Sequence, residues 1–337
     1  MNVLHRCVYL SAFVILVATT GLNAQTSSMA QDPSLNNLVH PDGYRTAALN
    51  TLGKVTHAGT GTRHMILIPG LGFSGAIFDE FTKRWESNYR VHAVTLPGFG
   101  ETPALPMPVA GTSFGDIPWT KSAQRAVLDL MDREGIKRAT LVAHWALASQ
   151  IALQLALDHP ARVESVVLIA GVAKSYYANS PQMMDWTTEQ RVKFADSMGD
   201  RWFRTVTRKT WDDNNFMSYD YAINPRRGLF LWREAAIPSL SVWIRYLLEF
   251  YAIDLTSALK DLKVPALVVK PGFDDPGFYV EPGKDYMRNL CLDSWKQVEK
   301  NSGPIEFITI PGSRLFVMYD KPDELERVMR AFLDKVK

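Results

Sequence analysis

The side chains that could move a proton near neutral pH are crowded into one end of this chain. All seven histidines, His5, His40, His57, His64, His92, His144 and His159, lie in the first half of its 337 residues, and imidazole is the usual general base. The second half offers carboxylates, of which Asp274 and Asp275 stand just before Pro276 in the loop GFDDPGF. A carboxylate there could orient an imidazolium and balance its charge, but only if a histidine reached it. Ser149 is a hydroxyl near the most sharply turned stretch of the chain, and Cys7 and Cys291 are its two thiols. No H-E-x-x-H, no G-x-x-x-x-G-K-[ST] and no G-x-G-x-x-G after the first strand is present, so neither a metal nor a cofactor is expected.

Those residues depend on the elements that hold them. In ATLVAHWALASQIALQLALDHP (139–160), residues 139–143 are an apolar run of strand length. From about Ala148, the residues Ile151, Ala152, Leu155 and Ala156 recur at helical spacing. A strand therefore turns sharply into a helix, with Trp145 and Ala146 in the turn and Ser149 one turn into the helix. Further strands are expected at 64–68, 90–95, 161–171, 266–270 and 305–310, and at 44–49 and 52–57, which a tight turn would join. This is the pattern of an α/β protein with a mostly parallel central sheet flanked by helices. Strand 64–68 runs into IPGLG, where Gly70 and Gly72 suit either a plain strand-to-helix turn or a loop whose N–H groups face a reacting oxygen.

The segments IPGLG, TLPGFG, the strand-turn-helix and ARVESVVLIAG together resemble the α/β-hydrolase superfamily, most closely secreted bacterial hydrolases whose matching segments read PGLG and LTLxGFxG. The resemblance covers about 44–171 and again 262–337. It implies the α/β-hydrolase fold, with a nucleophile elbow G-x-S-x-G at the strand-helix turn. LVAHW lies over the family's LVGHS and puts Trp145 at the nucleophile. ALASQIALQLALDHP lies over SLGGxIALxLALxHP and puts Ala146 there, which is the longer match. Leu71, after Gly70, holds the place of the residue that donates the second oxyanion N–H. Asp275 matches the acid of the family's GxxDP loop, and IPGSRLFVMYDKPDEL resembles IPxSxHFxMxDxPEEF, with Leu315 in place of the histidine. The fold places its base after the nucleophile and the acid, and no histidine follows His159. His144 reads as a structural neighbour of the nucleophile position, and no carboxylate between Ala143 and Gln150 could replace the serine.

The resemblance thus implies an α/β-hydrolase in which nucleophile and base are both substituted, a degenerate enzyme keeping a pocket for a small apolar or ester-like molecule. An active hydrolase with a displaced nucleophile, or a cofactor-independent enzyme of the same fold, is the alternative. Residues 44–171 and 256–337 are expected to form the core. Residues 172–255, with Trp186, Trp202, Trp211, Trp232 and Trp243 and several methionines, are expected to form a helical cap that ends in an amphipathic helix over 242–255. A net charge of +2 without a basic stripe excludes nucleic acid. At the N-terminus, Arg6 precedes an uncharged apolar run over 7–22 and then Leu22, Asn23 and Ala24, which reads as a signal peptide over 1–24 followed by a flexible lead-in over 25–43. An uncleaved anchor is the alternative, although the run is shorter than the ~20 residues that span a bilayer. The mature chain is then expected outside the cytoplasm, periplasmic or extracellular, with no membrane contact and with Cys291 unpaired. No oligomeric state follows from the sequence.

Overall fold

The computed structural model describes residues 46–215, 221–277, 285–300 and 303–336. The expected signal peptide, the lead-in and the start of the first expected strand lie outside these residues.

Seven strands form one sheet: β1 (Val55–Ala58), β2 (Arg63–Ile68), β3 (Tyr89–Val94), β4 (Ala139–His144), β5 (Val163–Ile169), β6 (Ala266–Pro271) and β7 (Ile305–Ile310). Their order is β1-β3-β2-β4-β5-β6-β7, with β1 antiparallel to β3 and every other pair parallel. All six residues of β4 are buried, as its unbroken apolar run requires of a strand covered on both faces.

The expected hairpin of 44–49 with 52–57 does not form. Thr46 bridges Ala104, and β1 instead takes the open edge of β3, from Val55 opposite Val94 to Ala58 opposite Val91. An edge strand of a large sheet offers more ladder partners and a buried face than an isolated two-stranded ribbon.

Eleven helices are described: α1 (Asp79–Trp85), α2 (Pro118–Arg133), α3 (Ala146–Asp158), α4 (Thr188–Thr205), α5 (Arg208–Asn215), α6 (Pro225–Ala236), α7 (Leu240–Ala252), α8 (Tyr286–Asp293), α9 (Lys296–Glu299), α10 (Val317–Asp320) and α11 (Pro322–Leu333). Between β5 and β6 the chain leaves the sheet for α4 to α7. The last of these lies where the amphipathic helix over 242–255 is expected, and its four aromatic residues are buried together with the charged pair Arg245 and Glu249, the pair at 2.8 Å. Glu249 also accepts the N–H groups of Trp119 and Thr120 at the start of α2, at 3.1 and 2.8 Å. A carboxylate at a helix N-terminus meets donors that have no partner inside the helix, so the charges that look surface-bound in sequence fasten α7 into the interior.

Candidate active site

Trp145 and Ala146 share the turn between β4 and α3. Trp145 has φ 54 and ψ 160 and directly precedes the helix, and Ala146, the first helical residue, has φ 48. The two alignments of the sequence therefore each name one half of a two-residue turn. Left-handed backbone at two consecutive residues with side chains costs about 1–3 kcal/mol at each. It persists because the Trp145 N–H continues the ladder to the Ile169 carbonyl at 2.9 Å. Ser149 lies off the tip, buried against Gly171, and its hydroxyl has no hydrogen-bond partner among the described residues.

The loop after β2 folds back beside this turn, the Phe73 N–H reaching the Gly70 carbonyl at 3.1 Å. Both glycines answer to close approach. A Cβ on Gly70 would lie 2.8 Å from the His144 carbonyl oxygen, and one on Gly72, at φ 88, would lie 2.0 Å from the Trp243 ring. Leu71, between them, is buried.

The loop after β7 closes the other side. His144 Nε2 lies 3.2 Å from the Leu315 carbonyl, which can only accept, so Nε2 carries the proton. Burial lowers the imidazole pKa to about 3. The ring is therefore neutral, and its bare Nδ1 has no partner among the described residues. Leu315 and Phe316 are fully buried, the Phe316 ring 4.2 Å from that of His144. Asp275 meets Arg314 instead of an imidazole, Nε to Oδ2 at 2.9 Å and Nη2 to Oδ1 at 3.0 Å. Hydrogen bonds from that guanidinium hold the carboxyl below its usual range. Asp274 accepts the Gly312 N–H at 2.7 Å and so shapes the turn after β7.

The segment leading into α6 fastens across the top. The Tyr221 carbonyl accepts the Phe316 N–H at 3.0 Å. Asp320 takes the N–H of Ile223 and that of Arg314, both at 2.8 Å. The Tyr221 ring meets the Trp145 ring edge-on at 5.6 Å.

The positions singled out in the sequence thus converge, but on a packed cluster. Ala146 and Leu315 expose no surface, and Leu71 and Trp145 expose 2% and 7%. At the point where the apolar pocket is expected, Trp145 and Trp243 stand close against Gly70 and Gly72. A groove of about 310 Å³ lies at the opposite, N-terminal end of the sheet, near Ile305, Lys260 and Gln297. Among the described residues no cluster of three or more metal-ligating side chains is placed to hold an ion.

Sequence reasoning missed Arg314 and Tyr221. The first left a signal, a cation adjoining the position where the base is absent. The second left none, since Tyr221 is far in sequence from both Trp145 and Phe316, which it meets.

Residues 65–328 match the sequence model described as the Alpha/beta hydrolase family. A pimeloyl-[acyl-carrier protein] methyl ester esterase of Aeromonas hydrophila is 30% identical over 141 residues, 38% of this chain and 50% of the esterase. The chain thus spans about half the length of such curated relatives. Among solved structures, a hydrolase from Pseudomonas aeruginosa superposes with a TM-score of 0.61 at 15% identity, covering 83% of this chain and 93% of that one. A thermophilic esterase from Thermogutta terrifontis superposes at 0.60 and 17%, covering 84% and 93%. Similarity at this level establishes the fold.

Proposed function

The chain belongs to the alpha/beta hydrolase family, and on that footing we propose that it no longer performs serine-type ester hydrolysis, although it keeps the frame of the site. The observation that carries this reading is the pairing of Asp275 with Arg314 beside Leu315, at the end of a turn made of Trp145 and Ala146. A serine hydrolase needs a hydroxyl at that turn, an imidazole to take its proton and a carboxylate to hold the imidazole. Here the first two places hold apolar side chains and the carboxylate is engaged elsewhere.

A small apolar or ester-like molecule binds at the elbow, on this reading, only with Trp145 swung away from Tyr221. The relatives' acyl-carrier-protein ester is one candidate shape for such a molecule. Export to the periplasm or beyond belongs to the same proposal, supported by Arg6 and the apolar run after it.

The test is exposure of the folded chain to a fluorophosphonate probe and to p-nitrophenyl esters. No covalent labelling and no turnover above background are expected, because loss of nucleophile or base lowers kcat by about 10⁶-fold in a serine hydrolase. Stoichiometric labelling of any serine overturns the reading.

A further inference from the structure

We propose that the outward face of α6 docks this protein on an anionic membrane surface. The sequence leads to the opposite expectation, a mature chain without membrane contact, and the assignment rests on how the side chains of this helix divide between two faces.

The inward face of α6 carries its polar anchors. Arg227 pairs with Asp79 at 3.4 Å and with Glu80, and its guanidinium stacks on the Tyr319 ring at 4.4 Å. Glu234 accepts the N–H and the hydroxyl of Ser74 at 3.0 and 2.5 Å. Gly228, Leu231 and Ala235 fill the space between. The outward face, at positions 226, 229, 232 and 233, reads Arg, Leu, Trp, Arg. Leu229 and Trp232 are 41% and 37% exposed, and Ile223 and Ile237 extend the same apolar character past both ends of the helix at 40% each. A helix in contact with water alone keeps its large apolar side chains on the inward face, and here Leu229 and Trp232 stand on the outward one between two arginines.

Charge decides what covers this face. Arg226 and Arg233 are exposed, and no ion-pair partner for either exists among the described residues. Glu234 is the only carboxylate in the helix, and it points inward. The face is therefore cationic with an apolar centre, which fits a layer of anionic headgroups over acyl chains, where an indole is most at home. One face of a 12-residue helix is about 18 Å long and covers only a few hundred Å², below the roughly 800 Å² per partner of a stable protein interface. A lipid surface has no such threshold of shape complementarity. No described helix is long and apolar enough to cross a bilayer, so the contact lies along the surface.

The experiment is co-sedimentation of the full chain with vesicles of phosphatidylcholine alone and of phosphatidylcholine with an equal part of phosphatidylglycerol. Any contribution of the N-terminal apolar run is common to every variant. Binding to the anionic vesicles, weakened at high salt, is expected. Arg226→Glu with Arg233→Glu, and separately Leu229→Ser with Trp232→Ser, should each reduce it about tenfold while melting temperatures stay unchanged. Equal binding of the variants and the parent, equal binding to both vesicle types, or a salt-independent dimer that buries Trp232 in place of lipid binding would each overturn the proposal.

Discussion

Arg314 grips Asp275 through both carboxylate oxygens, at 2.9 and 3.0 Å, one residue before the side chain of Leu315. Both partners are nearly buried. The carboxylate that would orient an imidazole in a triad here neutralises a neighbouring cation, and it has become part of what holds the loop after β7.

Breaking that pair from one side should therefore be costly. Arg314→Ala leaves a buried carboxylate unpaired and is expected to destabilise the fold by about 3–5 kcal/mol. Arg314→Ala with Asp275→Ala should cost clearly less than the sum of the single changes. Urea denaturation of the four proteins of this cycle measures the coupling, and simple additivity would show that the bidentate pair contributes little.

Rebuilding catalysis needs three changes. Ala146→Ser with Leu315→His supplies nucleophile and base but leaves Asp275 on Arg314, so little turnover is expected. Adding Arg314→Gly frees the carboxylate, and weak p-nitrophenyl acetate hydrolysis should then appear. The same set with Trp145→Ser in place of Ala146→Ser tests the other half of the turn. The single changes should be silent, because such residues act as a unit. If neither triple variant exceeds its double variant while remaining folded, Arg314 is not what withholds the acid.

Trp145 plugs the space beneath Tyr221, and its removal should open it. Trp145→Ala is expected to cost about 3–5 kcal/mol, as large-to-small changes in cores do, and to create a dry cavity. Medium-chain fatty acids or their methyl esters should then raise the melting temperature of the variant and leave the parent unmoved. A saturable shift of the parent protein would mean that the elbow opens without the mutation.

Acid should weaken the fold through its buried histidines. Burial and the adjacent His57 and His64 lower the His92 pKa to about 4, and burial lowers that of His144 to about 3. In the unfolded chain each returns to about 6.5. Between pH 6.5 and 4 the unfolded state binds protons that the folded state refuses, so stability falls as pH falls across that window. The lowered Asp275 pKa acts in the same direction below about pH 4. Melting curves from pH 7.5 to 4 should show the decline, and His92→Gln, which keeps a donor and an acceptor but cannot titrate, should flatten it. A profile level down to pH 4 would rule out both histidines as its source.

The sheet was largely legible in the sequence, since buried parallel strands are unbroken apolar runs, and 305–310 was expected with the bounds that β7 has. The start of α3 was placed two residues late. Trp145 and Ala146 bear no local mark of left-handed backbone, which the surrounding packing imposes. The edge pairing of β1 was not legible, because it depends on which strand lies alongside. The same holds for the site. Each position could be named from its own motif, but that Tyr221 would meet Trp145 and that Asp275 would find Arg314 are contacts between segments far apart in sequence.

The bonds from the Phe316 N–H to the Tyr221 carbonyl and from the Ile223 N–H to Asp320 also make one part of the fold conditional on another. The ring that meets Trp145 edge-on belongs to Tyr221, whose backbone is held by the segment that follows β7. Without that segment the strand-turn-helix has no fastened cover. A stop codon shortly after β7 would leave a complete sheet with no latch. Limited proteolysis of such a truncated chain should cut first between Tyr221 and Asn224, where the loop after β7 holds the backbone of the intact chain.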